Sequence, residues 1–237
     1  MIEATYIDHM GSDLSVVNAA RVSFGKKSSF VTIPVFSGYG FDEDTKKEVE
    51  IYDYEDALAP RDAKLIQYLA KHEHISPFGH AFASFHVKAP IFVARQLVKH
   101  KFLRWNEISR RYVDDEPEFY VPDVWRGRSA DKKQGSEGVV KDYNTTALPL
   151  WHDDALKYYN MLLASGVAPE QARMVLPQST MTEWYWSGSL DAFASMCKLR
   201  LKEDTQYESR LVAQQISAKM AELFPVSWQA LVGDNND

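Results

Sequence analysis

Residues 80–88, HAFASFHVK, alternate polar and apolar side chains with a period of two, the mark of a strand that buries one face. The run leads into Pro90, which suits a first helical position and predicts a helix to about His100. Strands are also predicted at residues 2–7, at 180–186, and on both sides of the loop SGYGFDED within residues 26–56. Helices are predicted from Asp13, as cap, to Arg21, with Leu14, Val17 and Val22 inward, and from Pro60, with the stripe Leu65, Tyr68 and Leu69. Further helices are predicted at 151–164, stopped by Gly166; from Pro169, closed by Pro177; from Ser189, as cap, to about Leu201; and from about Thr205 to Phe224. Residues 102–121 read as extended or irregular, and 126–145 as a mobile surface loop. Helices and strands mix without repeats and without a βαβ rhythm. The predicted class is α+β, a mixed or antiparallel sheet flanked by helices. No Pro/Gly/Ser-rich linker divides the 237 residues, so a single domain over 1–237 is expected.

Composition narrows the function classes. Lys and Arg number 27 against 33 Asp and Glu, a net charge of −6, so the chain is not built to coat nucleic acid. A local basic cluster can still hold one phosphate. The single cysteine, Cys197, excludes an internal disulfide and suits a reducing cytosol, so a cytoplasmic location is expected. Residues 89–94 form the longest near-apolar run, far short of the roughly 20 residues of a membrane span. The opening MIEATYID carries early acids and no apolar core, unlike a signal peptide. Cys197 falls on the apolar stripe Leu190, Phe193, Ala194 and Leu201, so it is expected to pack rather than react. GxSxG, GxxxxGK[ST] and GxGxxG are all missing.

Five of seven histidines, His72, His74, His80, His86 and His100, fall within 29 positions, yet neither HExxH nor a Cys/His pairing accompanies them. No metal is expected, and His72 and His86 read as structural. The segment APIFVARQLVKHKFLRWNEISRRY, residues 89–112, is more pointed. On a helix, Ile91, Ala94 and Val98 share one side while Gln96, Lys99 and His100 share the other. Lys99, His100 and Lys101 would also suit a helix C-terminus through the dipole. If residues 107–111 are extended, Glu107, Ser109 and Arg111 project together as acceptor, hydroxyl and guanidinium, a set that binds a phosphate and a sugar hydroxyl. Arg173 and Arg200 sit in apolar sequence, so each either forms a buried salt bridge, to Glu203 or Glu208, or stabilises an anion in a water-poor pocket. Two other readings use the same residues. One is a single-strand nucleic-acid module built on Lys99–Arg111 with Phe102, Trp105 and Tyr112. The other is a metal-dependent hydrolase built on the histidines.

Residues 72–112, HEHISPFGHAFASFHVKAPIFVARQLVKHKFLRWNEISRRY, resemble the core of the flavin-dependent thymidylate synthases. That family carries RHR, seven residues, then Ser; here Lys99-His100-Lys101 and Ser109 stand in that place. NAARVSFGK at 18–26, GVAPEQARMVLP at 166–177 and the LRL…TQYES region from Leu199 extend the match over most of the chain. Residues 27–58 and 123–148 look like insertions relative to compact members. The resemblance implies that family's fold and the reductive methylation of dUMP to dTMP, with FAD as cofactor and NADPH and methylenetetrahydrofolate as co-substrates. It implies a dUMP site of Gln96, Leu97, Val98, Lys99, Glu107, Ile108, Ser109, Arg110, Arg111 and Arg173, with Arg200 as the catalytic residue that stabilises charge on the uracil ring. It implies FAD held by His74, Ser76, Lys99, His100, Lys101, Ser189, Leu190, Asp191 and Ser195. It also implies a homotetramer whose active sites draw on several subunits, with neither nucleic acid nor membrane as partner. Two departures stand out. Lysines replace both arginines of RHR, keeping charge but losing the planar fork. Asp191 and Ser195 stand where some members carry a basic and an amide side chain.

Overall fold

The computed structural model describes residues 1–113, 115–130, 135–141 and 145–233. The chain forms two compact units. The first comprises residues 1–10 and 82–223 and holds a four-stranded antiparallel sheet, order β1-β4-β8-β5. Its strands are β1 (Glu3–Met10), β4 (Phe82–Pro90), β8 (Met181–Ser189) and β5 (Leu103–Glu107). The register Phe85↔Trp186 and Trp105↔Trp186 puts the large residues of three strands on one face. Ala83, Phe85, Val87, Trp184 and Trp186 are buried there, and Phe193 meets Phe85 and Trp186 edge-on at 5.4 and 5.7 Å. That ring belongs to α6 (Leu190–Arg200). With α7 (Tyr207–Leu223) it supplies the cover that the period-two pattern requires. The opposite face is polar. Ser84 Oγ donates to Ser187 Oγ at 2.9 Å, and His86 pairs with Glu183 at 2.8 Å, the structural role expected of His86.

Between β4 and β5 lies α3 (Ile91–Leu97), and before β8 lie α4 (Ala147–Ala164) and α5 (Pro169–Ala172). Pro90 is the residue before α3 rather than its first, and the helix ends at Leu97, not His100. Gly166 stops α4 with φ +81°, as its position predicts. Residues expected as a mobile loop include a short hairpin, β6 (Arg126–Arg128) with β7 (Ser136–Val139); residues 131–134 and 142–144 lie outside the described residues.

The second unit comprises residues 11–81 and 224–237 and holds α1 (Asp13–Arg21), the hairpin β2 (Val31–Asp42) with β3 (Lys47–Ala57), α2 (Pro60–Lys71) and α8 (Pro225–Val232). The expected hairpin is present, but the SGYGFD part of that loop continues the strand and the turn is Glu43–Lys46. Asp13 does not cap its own helix; Ser12 holds that position. The Asp13 carboxylate instead accepts the Val226 and Ser227 N–H groups, both at 2.9 Å, and so caps α8. Val22 is exposed, and on α2 the inward residues are Ile66 and Leu69 while Tyr68 faces water. The predicted last helix is α7, which ends before Pro225 because proline lacks the N–H that would continue it; the short α8 beyond it was not predicted.

Candidate active site

Helix α3 is anchored at its start: Ile91 and Phe92 N–H donate to the Thr180 and Gln178 carbonyls at 2.9 and 3.2 Å. With Val93 and Leu97 in the core, its two flanks form walls of two different cavities. The first, about 770 Å³, takes Phe92, Gln96 and Lys99 from α3 and the turn after it, and Arg200 from the end of α6. The second, about 510 Å³, takes Ala94, Arg95 and Val98 with Glu107, Ile108, Ser109, Arg111 and Arg173.

In the first cavity Arg200 is half-buried. Its Nε donates to His100 Nε2 at 2.9 Å, and Nη2 donates to the Gln96 carbonyl at 3.4 Å. Neither carboxylate expected as its partner is used. Glu208 pairs with Arg126, and the Glu203 carbonyl accepts from Arg210. Burial, reinforced by the Arg200 charge, pushes the His100 imidazole down to about 4. Burial also lowers the Arg200 guanidinium, which stays cationic. Gln96 is tied on its amide: Ser209 Oγ donates to Oε1 at 3.2 Å, and Nε2 donates to Gln206 Oε1.

The far wall of this cavity was missed in the sequence. Trp125, Arg126, Gly135 and Ser136 of the β6–β7 hairpin line it. Arg126 binds the buried Glu208 and lies 4.4 Å from the Tyr207 ring centroid, while Tyr120 donates to Glu208 Oε1 at 3.4 Å. Burial first, then the Glu208 charge, pushes the Tyr120 hydroxyl up to about 12. The only local signal was an acid in the buried first turn of α7.

In the second cavity the predicted trio Glu107, Ser109 and Arg111 does come together, though not by extension. The strand ends at Glu107, and a turn follows in which Tyr112 N–H donates to the Ser109 carbonyl at 3.0 Å. Arg111 Nε donates to Ser109 Oγ at 3.2 Å. Glu107 is held by Thr182 Oγ1 at 2.7 Å and Trp105 Nε1 at 3.1 Å. Arg173 is exposed on the helical turn after α5, so burial demands no partner for it; its Nε donates to the Glu170 carbonyl. Arg95, which the sequence reading left unassigned, makes a third guanidinium here. Arg110 does not join this group: it donates to the Asp115 carbonyl in a separate cleft. The Leu97 and Leu190 side chains are wholly buried, so only their backbones are left for a ligand.

Lys99 and Lys101 are exposed, beyond the end of α3 rather than in its last turn. Ser189 caps α6 by position, without a side-chain hydrogen bond, and Ser195 is exposed on the same helix. Asp191 Oδ1 is buried with no hydrogen-bond partner among the described residues. His74 and Ser76 belong to the second unit, where they line a cavity of about 1110 Å³ with Phe24, Tyr68, Lys26 and Arg61. Cys197 is fully buried, with Sγ 3.7 Å from the Ala213 carbonyl, and burial pushes its thiol well up. Trp105 stacks on Trp184 at 4.2 Å, and Phe102 and Tyr112 are exposed. Among the described residues no three His, Cys, Asp or Glu side chains cluster closely enough to hold a metal.

The family model for the thymidylate synthase complementing protein matches residues 5–226. The flavin-dependent thymidylate synthase of Thermus thermophilus is 40% identical over 225 residues, covering 94% of this chain and 73% of that protein. The flavin-dependent thymidylate synthase of Kosmotoga olearia is 37% identical over 230 residues, covering 95% and 88%. The chain belongs to the flavin-dependent thymidylate synthase family. Among solved structures, the UMP/dUMP methylase PolB of Streptomyces cacaoi with bound 5-Br dUMP aligns with a TM-score of 0.78 at 31% identity, covering 97% of this chain and 94% of that one. The antiparallel sheet with covering helices is thus this family's fold, as the resemblance implied. Membership also sets the histidine-metal hydrolase reading aside in favour of nucleotide methylation.

Proposed function

We propose that the protein converts dUMP to dTMP, taking the one-carbon unit from methylenetetrahydrofolate and reducing equivalents from NADPH through FAD. One observation carries the reading: Arg200 enters a nucleotide-sized cavity, and among the described residues no carboxylate pairs with it. A cation so placed can stabilise negative charge developing on a uracil ring, and in a water-poor site that effect is large. FAD, when bound, supplies the hydride that completes the methyl group. The chain's own residues bind and orient. Ser109, Arg111 and Arg173 suit a phosphate, and Gln96 suits the polar edge of the base. The exposed Lys99 and Lys101 suit the cofactor's diphosphate. The orphaned Asp191 oxygen suits a hydroxyl or N–H of the cofactor better than a phosphate. His74, Ser76, Ser189 and Ser195 complete the FAD set. The buried Cys197 leaves the chain no thiolate for attack on the ring.

Arg200 and the Ser109–Arg111–Arg173 group lie on opposite flanks of α3. This supports a homotetramer in which one protomer's Arg200 and another's arginine cavity hold a single nucleotide. No described helix is long and apolar enough to cross a membrane, in keeping with a cytoplasmic enzyme. Purified protein supplied with FAD should turn yellow. It should also form dTMP from dUMP, methylenetetrahydrofolate and NADPH. Neither bound flavin nor dTMP at saturating FAD would overturn the reading.

A further inference from the structure

Arg200 raises a problem of geometry. A guanidinium carries five N–H donors and swings on a long stem, so something must fix its direction. A carboxylate would fix it but cancel the charge that the cavity needs. The fixed contacts here are both neutral: His100 Nε2 on Nε at 2.9 Å, and the Gln96 carbonyl on Nη2 at 3.4 Å. The backbone places the imidazole deliberately. His100 sits in the turn after α3, its N–H donating to the Leu97 carbonyl at 3.1 Å, and the turn closes at Phe102 with φ +67°, a conformation a bulky residue rarely adopts. Lys99 and Lys101 point outward while the residue between them turns in.

We propose that His100 is a positioning residue whose neutral imidazole accepts the Arg200 Nε–H and aims the guanidinium without neutralising it. This rests on the proposed role of Arg200 toward dUMP. Acceptance at Nε2 requires the proton to lie on Nδ1, so the interaction fixes the tautomer as well. Burial beside a cation keeps the ring unprotonated at working pH. The lysines then meet anionic ligands, and the histidine sets the angle of the arginine.

The test compares wild type, His100→Ala and His100→Gln, whose amide oxygen can still accept. Three quantities are read: flavin content by absorbance, dUMP affinity by titration, and kcat. His100→Ala should lose about 10- to 100-fold in kcat, as misplacement of a reacting group does. The loss should persist when the rate is taken per bound flavin, and His100→Gln should recover most of it. Activity lost only in proportion to lost flavin, or an unchanged kcat, overturns the proposal. Should His100→Ala fail to fold, nitrogen NMR of the wild-type imidazole without substrate decides. The Nδ1-protonated neutral tautomer at pH 6 supports the proposal, and an imidazolium or the other tautomer refutes it. Wild type that makes no dTMP would sink the functional reading instead, and the NMR result would still report on the geometry.

Discussion

Two antiparallel regions of this chain use the same backbone pairing to opposite ends. The β1-β4-β8-β5 sheet alternates strictly, buries Phe85, Trp184 and Trp186 on one face, and leads directly into α3 and α6, the helices that carry the site. The β2–β3 hairpin is longer per strand, yet no element among the described residues buries either of its faces. Val31, Ile33, Val49 and Ile51 lie exposed, as do Phe36, Tyr39, Phe41 and Tyr54. Between Val31 and Ala57 eight carboxylates oppose two lysines, a net −6 that equals the charge of the whole chain. The remaining sequence is therefore balanced, and the acidity that argued against nucleic acid belongs to one appendage. Pairing alone makes a strand. Burial of one face makes it a scaffold.

The largest test of that contrast is a truncation in the sheet. Trp186 is essentially buried among Trp105, Trp184 and Phe193, so Trp186→Ala should cost about 3–5 kcal/mol, read as a lower midpoint in urea. A loss below about 1 kcal/mol would mean that the sheet is no more a scaffold than the hairpin. The next test separates scaffold from chemistry. Arg200→Ala should lower kcat about 10²–10³-fold while leaving the unfolding midpoint nearly unchanged, because no buried carboxylate is orphaned by removing it. A collapse in stability instead would make Arg200 a structural residue.

Legibility in the sequence follows the same line. Strands β4 and β8 and the stops at Gly166 and Pro177 were readable because periodicity and turn chemistry are local. The end of α7 before Pro225 was readable for the same reason, whereas the short helix α8 that starts at Pro225 was not anticipated. What stayed hidden is long-range. Nothing near Asp13 says that it caps a helix more than 200 positions away. The Arg126–Glu208 pair joins a loop to a helix across 82 positions. Arg200 read as either paired with an acid or free to stabilise an anion, and only the fold shows that its contacts are a ring nitrogen and a carbonyl. The trio Glu107, Ser109 and Arg111 was found for a reason that proved wrong: a turn, not a strand, assembles it. The family resemblance supplied what local pattern could not, namely roles for residues on both flanks of α3.

A smaller effect concerns pH. Unfolded His100 titrates near 6.5, whereas in the folded protein it stays neutral down to about 4. Between those values the unfolded chain binds the extra proton, so stability falls as pH drops from about 6.5 to about 4, with no further loss from this group below that. For a half-buried ring the loss should be on the order of 1 kcal/mol after solvent screening. Melting curves at stepped pH should show a shallower acid slope for His100→Gln than for wild type. Equal slopes would mean that the imidazole is no more shielded than one in the hairpin's surroundings.

The smallest expected effect bears most directly on the hairpin. Tyr54 is 72% exposed and Phe41 67%, and neither lines any of the cavities described above. Tyr54→Ser and Phe41→Ser should change unfolding free energy by no more than about 0.5 kcal/mol and leave kcat within twofold, as surface substitutions do. Acidic side chains around these rings keep such an edge soluble despite its apolar area. The informative failure is specific. If either variant lowers the assembled mass in light scattering, or lowers activity while the unfolding midpoint holds, then the aromatic face is covered in the working protein. The hairpin would then be a scaffold whose second layer comes from another chain, and the difference between the two sheets would lie in which molecule supplies the cover.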